Sequence, residues 1–414
     1  MTKCKRSVLF FLACLVFPGL AICLSPSHLT ASVATASEET SPPPSIVKVT
    51  IPYDNIPFVN PNLLSLDIYY NQNATNRRRP VVVYVHGGAW HAGDKSNTQF
   101  KDELFTDNGY VFVSVNYRLS PTCPPCDLTS STAVRFPTHQ EDVAKAIRWV
   151  YDNIRPYGGD SRRIFLLGHS AGAQIVNIIS TNEKFLNGVG LDLGDIGCTC
   201  SLDAGVFDVA EEIRTAATTN RRQMLLNAFG LNPANWPAAS PLLNISRGED
   251  IPNFLLVHQN SRRFKHNQFV NELQSKGHSG DLFNAFPFNH SQINQLLGDY
   301  STAATMTTEV LDFFQDCRFN WRTSSGEEQT EEALDISPIP TKDWLNIRSR
   351  DLDNQQLSLF DLQGRLLTTQ TFSGSNTRID LSNLPEGVYL LTIQEANGKQ
   401  VMQRKVLKGS VGYR

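Results

Sequence analysis

Ser170 lies in a sequence context that can make its hydroxyl a nucleophile. It stands in Gly168-His-Ser-Ala-Gly172, directly after an apolar run at residues 164–167 and before an apolar segment at residues 175–179. A strand, a tight turn and a helix in this order expose the serine above a sheet, and flanking glycines prevent a β-carbon from colliding with the neighbouring backbone. The pattern predicts a nucleophile at a helix N-terminus, where N–H groups face developing negative charge.

A second motif could supply backbone donors to the same reaction. An apolar run at residues 81–85 ends in His-Gly-Gly-Ala-Trp at residues 86–90. Glycines allow the backbone to approach a reacting carbonyl closely, so the amides of Gly88 and Ala89, together with that of Ala171, are predicted to form an oxyanion hole.

A serine also requires a base, because its hydroxyl does not attack an ester at neutral pH unaided. The predicted last strand, residues 282–286, is followed by Pro-Phe-Asn and then His290, which is the predicted base. His86 is interpreted as a structural residue that holds its loop, and His258, at the end of a predicted strand, is interpreted in the same way.

Strand-like and helix-like patterns alternate along residues 46–319, and these elements would position the residues named above. Strands are predicted at 81–85, 111–115, 164–167, 253–258 and 282–286, and apolar residues recur at helical spacing between the second and third of them. This alternation predicts an α/β catalytic domain over residues 45–320 with a largely parallel central sheet. The segment 210–240 is helical in pattern and is predicted to roof the pocket.

Residues from about 81 to 314 resemble the α/β-hydrolase superfamily, in particular the esterase and lipase branch that includes hormone-sensitive-lipase-like, kynurenine formamidase-like and bacterial feruloyl or acetyl esterases. The resemblance rests on the two motifs above and on further segments in the family's order, at 93–95, 116–119, 158–164, 205–208, 239–241 and 290–298. It implies the α/β-hydrolase fold and a Ser-His-acid triad, with neither a metal nor an organic cofactor.

The acid of the triad departs from that family. Relatives usually carry it in the loop after the strand predicted here at 253–258, whereas this loop reads Gln-Asn-Ser-Arg-Arg and contains no carboxylate. Asp208, which follows the apolar residues 204–207 at the tip of the preceding predicted strand, keeps the chain order Ser…Asp…His and is the predicted acid. The alternatives are Asn260 as a neutral partner of the histidine, Glu272, Asp281, and a site that has no acid.

The N-terminus predicts export. Basic residues at positions 3, 5 and 6 precede an apolar stretch at 8–24, and Ala-Thr-Ala follows at 34–36, so residues 1–36 are predicted to be a cleaved signal peptide. A single membrane anchor and lipidation at Cys23 are the alternatives considered. With 40 acidic and 37 basic side chains the formal net charge is -3, which gives no reason to propose a nucleic acid partner.

Five cysteines remain after signal cleavage, in an oxidising compartment. Cys123 and Cys126 form one close pair, Cys198 and Cys200 another, and Cys317 stands alone. Loop disulfides are favoured over a zinc site because no histidine has finger-like spacing. The odd number means that at least one thiol stays free or pairs elsewhere, and the pairing itself is left open.

The C-terminal part reads as a separate all-β unit. Residues 321–336 are polar and acidic, as in a linker, and residues 337–414 contain short alternating stretches separated by turn signals, which predicts a small β-sandwich. This unit resembles the sorting domains of the type IX secretion system of Bacteroidota, on the segments 360–365, 379–389 and 405–408. The resemblance implies the type IX machinery as a partner and a secreted or cell-surface location.

Together these features predict a secreted serine hydrolase that cleaves carboxylic esters through an acyl-enzyme on Ser170. The ester is expected to be a small molecule or to be linked to a polymer, and no stable membrane span is expected after signal cleavage. Two alternatives remain: a catalytically weak or inactive relative that binds a ligand, and a serine peptidase.

Overall fold

A computed structural model describes residues 46–75, 77–320, 334–337, 343–349, 355–361, 364–371, 376–394 and 400–409. The predicted signal peptide at residues 1–36 lies outside the described residues, as does most of the predicted linker at residues 321–336.

Within the described residues, one large sheet runs through the hydrolase-like part of the chain. Its strands are β1 (Ile46–Pro52), β2 (Ser65–Asn71), β3 (Arg79–Val85), β4 (Val111–Val115), β5 (Gly159–His169), β6 (Ile196–Leu202), β7 (Asn253–His258) and β8 (Gly280–Asn284). They are ordered β1-β2-β4-β3-β5-β6-β7-β8. The pairs β1–β2 and β2–β4 are antiparallel and all later pairs are parallel, so the predicted largely parallel sheet is confirmed.

Helices cover this sheet. They are α1 (Lys101–Asp107), α2 (Thr138–Asn153), α3 (Ala171–Ile179), α4 (Lys184–Asn187), α5 (Val209–Arg214), α6 (Thr219–Phe229), α7 (Arg263–Lys276), α8 (His290–Gln295) and α9 (Tyr300–Asn320). Short 3-10 turns lie at Pro61–Leu64, Gln72–Ala74, Arg155–Tyr157, Leu193–Asp195, Pro233–Asn235, Pro237–Ala239, Pro241–Asn244 and Asn260–Arg262.

Strand β3 shows why both faces of the sheet need a cover. Its alternate residues Val81, Val83 and Val85 belong to one buried cluster, to which α2 and α3 contribute, whereas Val82 and Tyr84 belong to another, to which α1 and α9 contribute. Side chains alternate between the two faces of a strand, so an apolar run of this kind is stable only between two layers of helices. The carboxyl ends of the parallel strands are left as the edge at which a site can form.

Two strand predictions differ from the structure, and both concern the ends of strands that feed the site. The last strand of the sheet covers Gly280–Asn284 instead of residues 282–286. The strand before the predicted acid ends at Leu202, and the apolar residues 204–207 lie beyond it. Pairing with β5 and β7 defines this strand, although its residues are mostly small or polar.

The C-terminal residues form two small antiparallel sheets. The first has the order β13-β10-β9 and the second β12-β11-β14-β15. Their strands are β9 (Leu334–Ser337), β10 (Trp344–Ser349), β11 (Gln356–Phe360), β12 (Leu366–Thr371), β13 (Asn376–Asp380), β14 (Gly387–Gln394) and β15 (Gln400–Lys408). Residues of both sheets, including Leu345 and Leu391, share one buried cluster, so the predicted β-sandwich is confirmed. Strand β9 begins inside the segment predicted as a linker.

Two disulfides join described cysteines. Cys123 is bonded to Cys126, whereas Cys198 of β6 is bonded to Cys317 of α9 and not to its close neighbour Cys200. Cys200 is a buried free thiol, and burial raises its pKa. The second disulfide therefore links β6, whose end leads into the site, to α9, the last helix of the hydrolase-like part.

Across the described ranges, none of the helices combines the length and the apolar character that crossing a membrane requires.

Candidate active site

Ser170 sits on a strained turn between β5 and α3. Its backbone angles are φ 58° and ψ -112°, a conformation that a residue with a side chain rarely adopts. A β-carbon on Gly172 would overlap the carbonyl oxygen of Val85, so only glycine lets the first turn of α3 pack this closely against β3. Ser170 N–H donates to the carbonyl of Leu202 at 3.0 Å, which ties the turn to the end of β6.

The loop after β3 lies against this turn. A β-carbon on Gly87 would stand 3.0 Å from the β-carbon of Ser170, so the loop backbone is next to Ser170. Gly88, Ala89 and Trp90 have φ angles of 119°, 51° and 63°, and three successive left-handed residues turn the chain sharply at this point. Ala171 opens α3, so its amide is among the helix N–H groups without a partner inside the helix. The predicted oxyanion donors Gly88 and Ala89 follow Gly87 in this loop, and Ala171 directly follows Ser170. Their role stays a prediction.

His86 anchors that loop. Its ring stacks on Tyr117 with centroids 4.6 Å apart, and its Nδ1 lies 2.7 Å from the carbonyl oxygen of Gly87. Burial lowers the pKa of this imidazole, which favours a neutral ring. These contacts agree with the interpretation of His86 as a structural residue.

His290 faces Ser170 across the carboxyl edge of the sheet. Its Nε2 lies 2.9 Å from Ser170 Oγ, although the two residues are 120 positions apart in the sequence. The other ring nitrogen, Nδ1, lies 2.6 Å from Oδ2 of Asp203. A carboxylate can only accept, so the proton is on Nδ1 and Nε2 is free to accept the hydroxyl proton of Ser170.

Asp203, and not the predicted Asp208, is therefore the carboxylate on His290. Asp203 is the first residue after β6 and has a φ of 48°. Asp208 lies five residues further on and caps α5, where its side chain accepts from the N–H of Glu211 at 3.2 Å. The prediction was wrong because it took residues 204–207 as the strand, and the real strand ends at Leu202.

The other candidates for the acid are engaged elsewhere. Asn260 Oδ1 accepts from Asn284 at 3.4 Å, and Glu272 pairs with Lys276 on α7. Asp281 is an exposed residue of β8. A signal for Asp203 does exist in the sequence: Cys198, Cys200 and Leu202 alternate as in a strand, and an aspartate follows them directly.

Donors from the loop after β7 surround Asp203, which is fully buried. Gln259 donates its backbone N–H to Oδ1 at 3.0 Å and its side-chain amide to Oδ2 at 2.9 Å, and Arg262 Nη1 lies 3.1 Å from Oδ2. Burial by itself opposes ionisation of Asp203. The hydrogen bond from His290, the charge of Arg262 and the bond from the Gln259 backbone outweigh it, so the pKa of Asp203 is lowered and the group is an anion at neutral pH.

His169, the residue before Ser170, contacts both the backbone and the ring of His290. Its Nε2 lies 3.0 Å from the carbonyl oxygen of His290, and the two rings are 4.7 Å apart. Burial and the neighbouring His290 lower the pKa of His169 to about 3. His169 is consequently neutral and donates to that carbonyl, which fixes the first residue of α8.

A helical segment packs against the loop after β3. It belongs to residues 210–240, which are predicted to roof the pocket. The ring of Trp90 meets that of Phe229 of α6 edge to face at 4.9 Å, and Trp90 Nε1 donates to Gln174 of α3 at 3.3 Å. Gln174 in turn donates to the carbonyl of Ala239 at 2.9 Å. The side chain of Trp90 is thus buried between α3 and the segment α5–α6.

The described residues contain no group of three or more His, Cys, Asp or Glu side chains arranged to hold a metal ion.

Comparisons with known proteins agree with this architecture. Residues 66–276, about half of the chain, match the BD-FAE family, and residues 335–408 match the secretion system C-terminal sorting domain. The second match confirms the resemblance to type IX sorting domains and indicates secretion or attachment to the cell surface through that system.

Curated relatives include several esterases. Esterase LipQ of Mycobacterium tuberculosis is 30% identical over 201 residues, which are 47% of this chain and 44% of LipQ. Esterase B1 of Culex pipiens is 31% identical over 125 residues, which are 30% of this chain and 23% of that protein. The chain thus spans less than half the length of these relatives.

Solved esterases share the fold. Esterase B from Lactobacillus Rhamnosis superposes with a TM-score of 0.53 at 19% identity, covering 66% of this chain and 86% of that one. Thermogutta terrifontis esterase 2 phosphonylated by sarin superposes with a TM-score of 0.51 at 20% identity, covering 66% and 94%. With the match over residues 66–276, these findings show that the chain is an esterase-like α/β-hydrolase that belongs to the BD-FAE family and carries a secretion sorting domain.

Proposed function

We propose that this protein is a secreted serine hydrolase that cleaves carboxylic esters through an acyl-enzyme on Ser170. The observation that carries the proposal is the chain of two hydrogen bonds from Ser170 Oγ through His290 to Asp203, at 2.9 Å and 2.6 Å. Both distances lie in the hydrogen-bond range, and the first would let His290 Nε2 take the proton of Ser170 Oγ directly.

In the first half of the proposed reaction, His290 Nε2 takes the hydroxyl proton of Ser170 as Oγ attacks the ester carbonyl carbon. The resulting oxyanion is held by backbone N–H groups at Gly88 or Ala89 and at Ala171, where the N-terminus of α3 adds a partial positive charge. The proton on Nε2 then passes to the alkoxide, so that the alcohol leaves and the acyl group stays on Oγ.

In the second half, water replaces the alcohol. His290 takes one proton from the water as its oxygen attacks the acyl carbon, and the proton returns to Oγ as the carboxylic acid leaves. Asp203 stays an anion throughout, because its role is to orient the imidazole and to stabilise the imidazolium.

The relatives support the ester bond as the target. Proteins named as esterases match the hydrolase part of the chain in sequence and in fold. The Thermogutta enzyme, which has this fold, was phosphonylated by sarin, and organophosphorus reagents of this type would report on Ser170 here.

Hydrolysis of a chromogenic short-chain ester by wild type and by Ser170→Ala tests the proposal. We expect the variant to lose a factor of about 10⁶ in turnover, because removing the nucleophile disables the whole site. A fluorescent phosphonate should label wild type and leave Ser170→Ala unlabelled.

Equal hydrolysis rates in the two proteins would contradict the proposal and would favour a relative that only binds its ligand. Hydrolysis of peptide bonds at a rate above that of esters would favour the serine peptidase alternative. Mass spectrometry of the phosphonate adduct adds a control, because it identifies the labelled residue.

A further inference from the structure

Arg262 occupies an unusual place, directly behind the histidine. Its Nη1 lies 3.1 Å from Oδ2 of Asp203, 2.5 Å from the carbonyl oxygen of the same residue, and 3.2 Å from Nδ1 of His290. The proton on Nδ1 points to Oδ2, so His290 and Arg262 are two donors that share one carboxylate oxygen. The guanidinium therefore binds both the backbone and the side chain of the acid.

This contact belongs to the loop in which the resemblance would place the acid itself. The loop after β7 supplies Gln259, which donates to the Asp203 carboxylate, and Arg262, which donates to the backbone carbonyl of Asp203 and forms an ion pair with its carboxylate. The loop thus contributes donors toward an acid that stands one strand away.

A salt-bridge network lies near Arg262. Glu212 of α5 is buried and pairs with Arg221 of α6 at 3.0 Å and with Lys265 of α7, and both Arg221 and Glu212 act electrostatically on Arg262. Arg262 is itself mostly buried, with 23% of its side chain exposed. A planar guanidinium held in this way can fix a carboxylate more rigidly than a flexible ammonium can.

We propose that Arg262 is a positioning residue that holds the Asp203 carboxylate on His290. This inference rests on the proposed function, because it assigns Arg262 a part in the same triad. Arg262 faces the Nδ1 side of the ring, whereas Ser170 and the substrate face Nε2, so it governs turnover and not substrate affinity.

The test compares three variants by their pH profiles of ester hydrolysis. Arg262→Met removes the charge and keeps the apolar stem, Arg262→Lys keeps the charge and loses the planar fork, and Arg263→Met is the control at the exposed neighbouring arginine. We expect Arg262→Met to lower kcat about 10–100-fold, as losses of supporting residues do at other sites, with KM within about twofold.

The split between kcat and KM, read at each pH of the profile, separates the proposed role from a merely structural one. Arg262→Lys should recover part of kcat with an unchanged KM, because its ammonium can still pair with the Asp203 carboxylate. Arg263→Met should match wild type in both quantities.

Three results would overturn the inference. They are an unchanged kcat in Arg262→Met, a kcat in Arg262→Lys as low as in Arg262→Met, and a change of KM in Arg262→Met larger than the change of kcat. Thermal unfolding of each variant shows whether it is folded, and Arg262→Lys keeps the test decisive if Arg262→Met is not. Wild type without Ser170-dependent hydrolysis would refute the proposed function as well, whereas active wild type with an unaffected Arg262→Met refutes this inference alone.

Discussion

For single residues, the main finding is that the carboxylate on His290 follows β6, and not β7 as the resemblance implies. Asp203 follows β6, and its position relative to His290 depends on donors from the loop after β7. Two acids within five residues of each other have different roles: Asp203 accepts from an imidazole, and Asp208 accepts from the first turn of α5. Replacing one carboxylate oxygen by an amide nitrogen, in Asp203→Asn and in Asp208→Asn, distinguishes the two roles.

Asp203→Asn should lower kcat by about 10⁴, because an amide can donate to Nδ1 and so favours the wrong tautomer of His290. Asp208→Asn is the matched control, and we expect its kcat to stay within about twofold of wild type because asparagine also caps helices well. Steady-state hydrolysis of a chromogenic ester measures both. Comparable losses in the two variants would mean that Asp208 takes part in the site after all.

At the scale of elements, a buried lysine joins α1 to the helix that begins at His290. Lys101 Nζ donates to the carbonyl of Asn294 in α8 at 2.5 Å and lies 5.2 Å from the centre of the Tyr84 ring. Burial lowers the pKa of Lys101 to about 7, and the nearby Asp102 only partly offsets that effect. This contact therefore changes its charge state near neutral pH.

The free energy of unfolding should rise with pH through this lysine. The folded protein releases the proton near pH 7, while the unfolded chain holds it to about pH 10.4, so the unfolded state binds more protons between these values. Stability linked to Lys101 is complete above the higher pKa and is lost as pH falls toward 7.

Lys101→Met removes this linkage. Between pH 7 and pH 9.5, wild type should gain on the order of 2–3 kcal/mol relative to the variant, measured by urea unfolding. Parallel curves for the two proteins over this interval would contradict the prediction.

At the scale of the whole molecule, two folded parts have separate buried clusters. The hydrolase part is built around its large sheet, and the C-terminal part around the cluster shared by its two small sheets. In the latter, Lys408 is buried and donates to the carbonyls of Leu381, Ser382 and Leu384, which closes the sandwich at the last described strand. The triad lies entirely within the hydrolase part.

A chain that ends at residue 333, before β9, should stay inside the cell envelope while its kcat/KM for esters remains within about twofold of wild type. Cell fractionation with an ester assay on each fraction measures both quantities. Full-length Ser170→Ala is the control, because it should be exported normally without activity. Export of the shortened chain at the wild-type level, or a loss of its substrate affinity, would count against separate roles for the two parts.

The parts of the site that could be predicted are those encoded by neighbouring residues. The turn around Ser170 and the loop at Gly88 follow from glycines at fixed spacing, because a missing β-carbon permits their backbone angles in any context. His290 was predictable from its place after the last strand. The sequence pattern does not identify Asp203 as the acid, because Ile196–Leu202 is rich in small and polar residues. The more apolar residues 204–207 instead predict a strand that ends just before Asp208.

Local patterns and side-chain alternation predict the turn around Ser170, the loop after β3, the parallel α/β architecture and the sorting domain. Which carboxylate meets His290, and which arginine lies behind it, follows only from the folded sheet. The order of the strands brings together residues 87 and 120 positions apart, and the point at which β6 ends depends on its pairing with β5 and β7. No short segment contains that information, because strand pairing is a property of the assembled sheet.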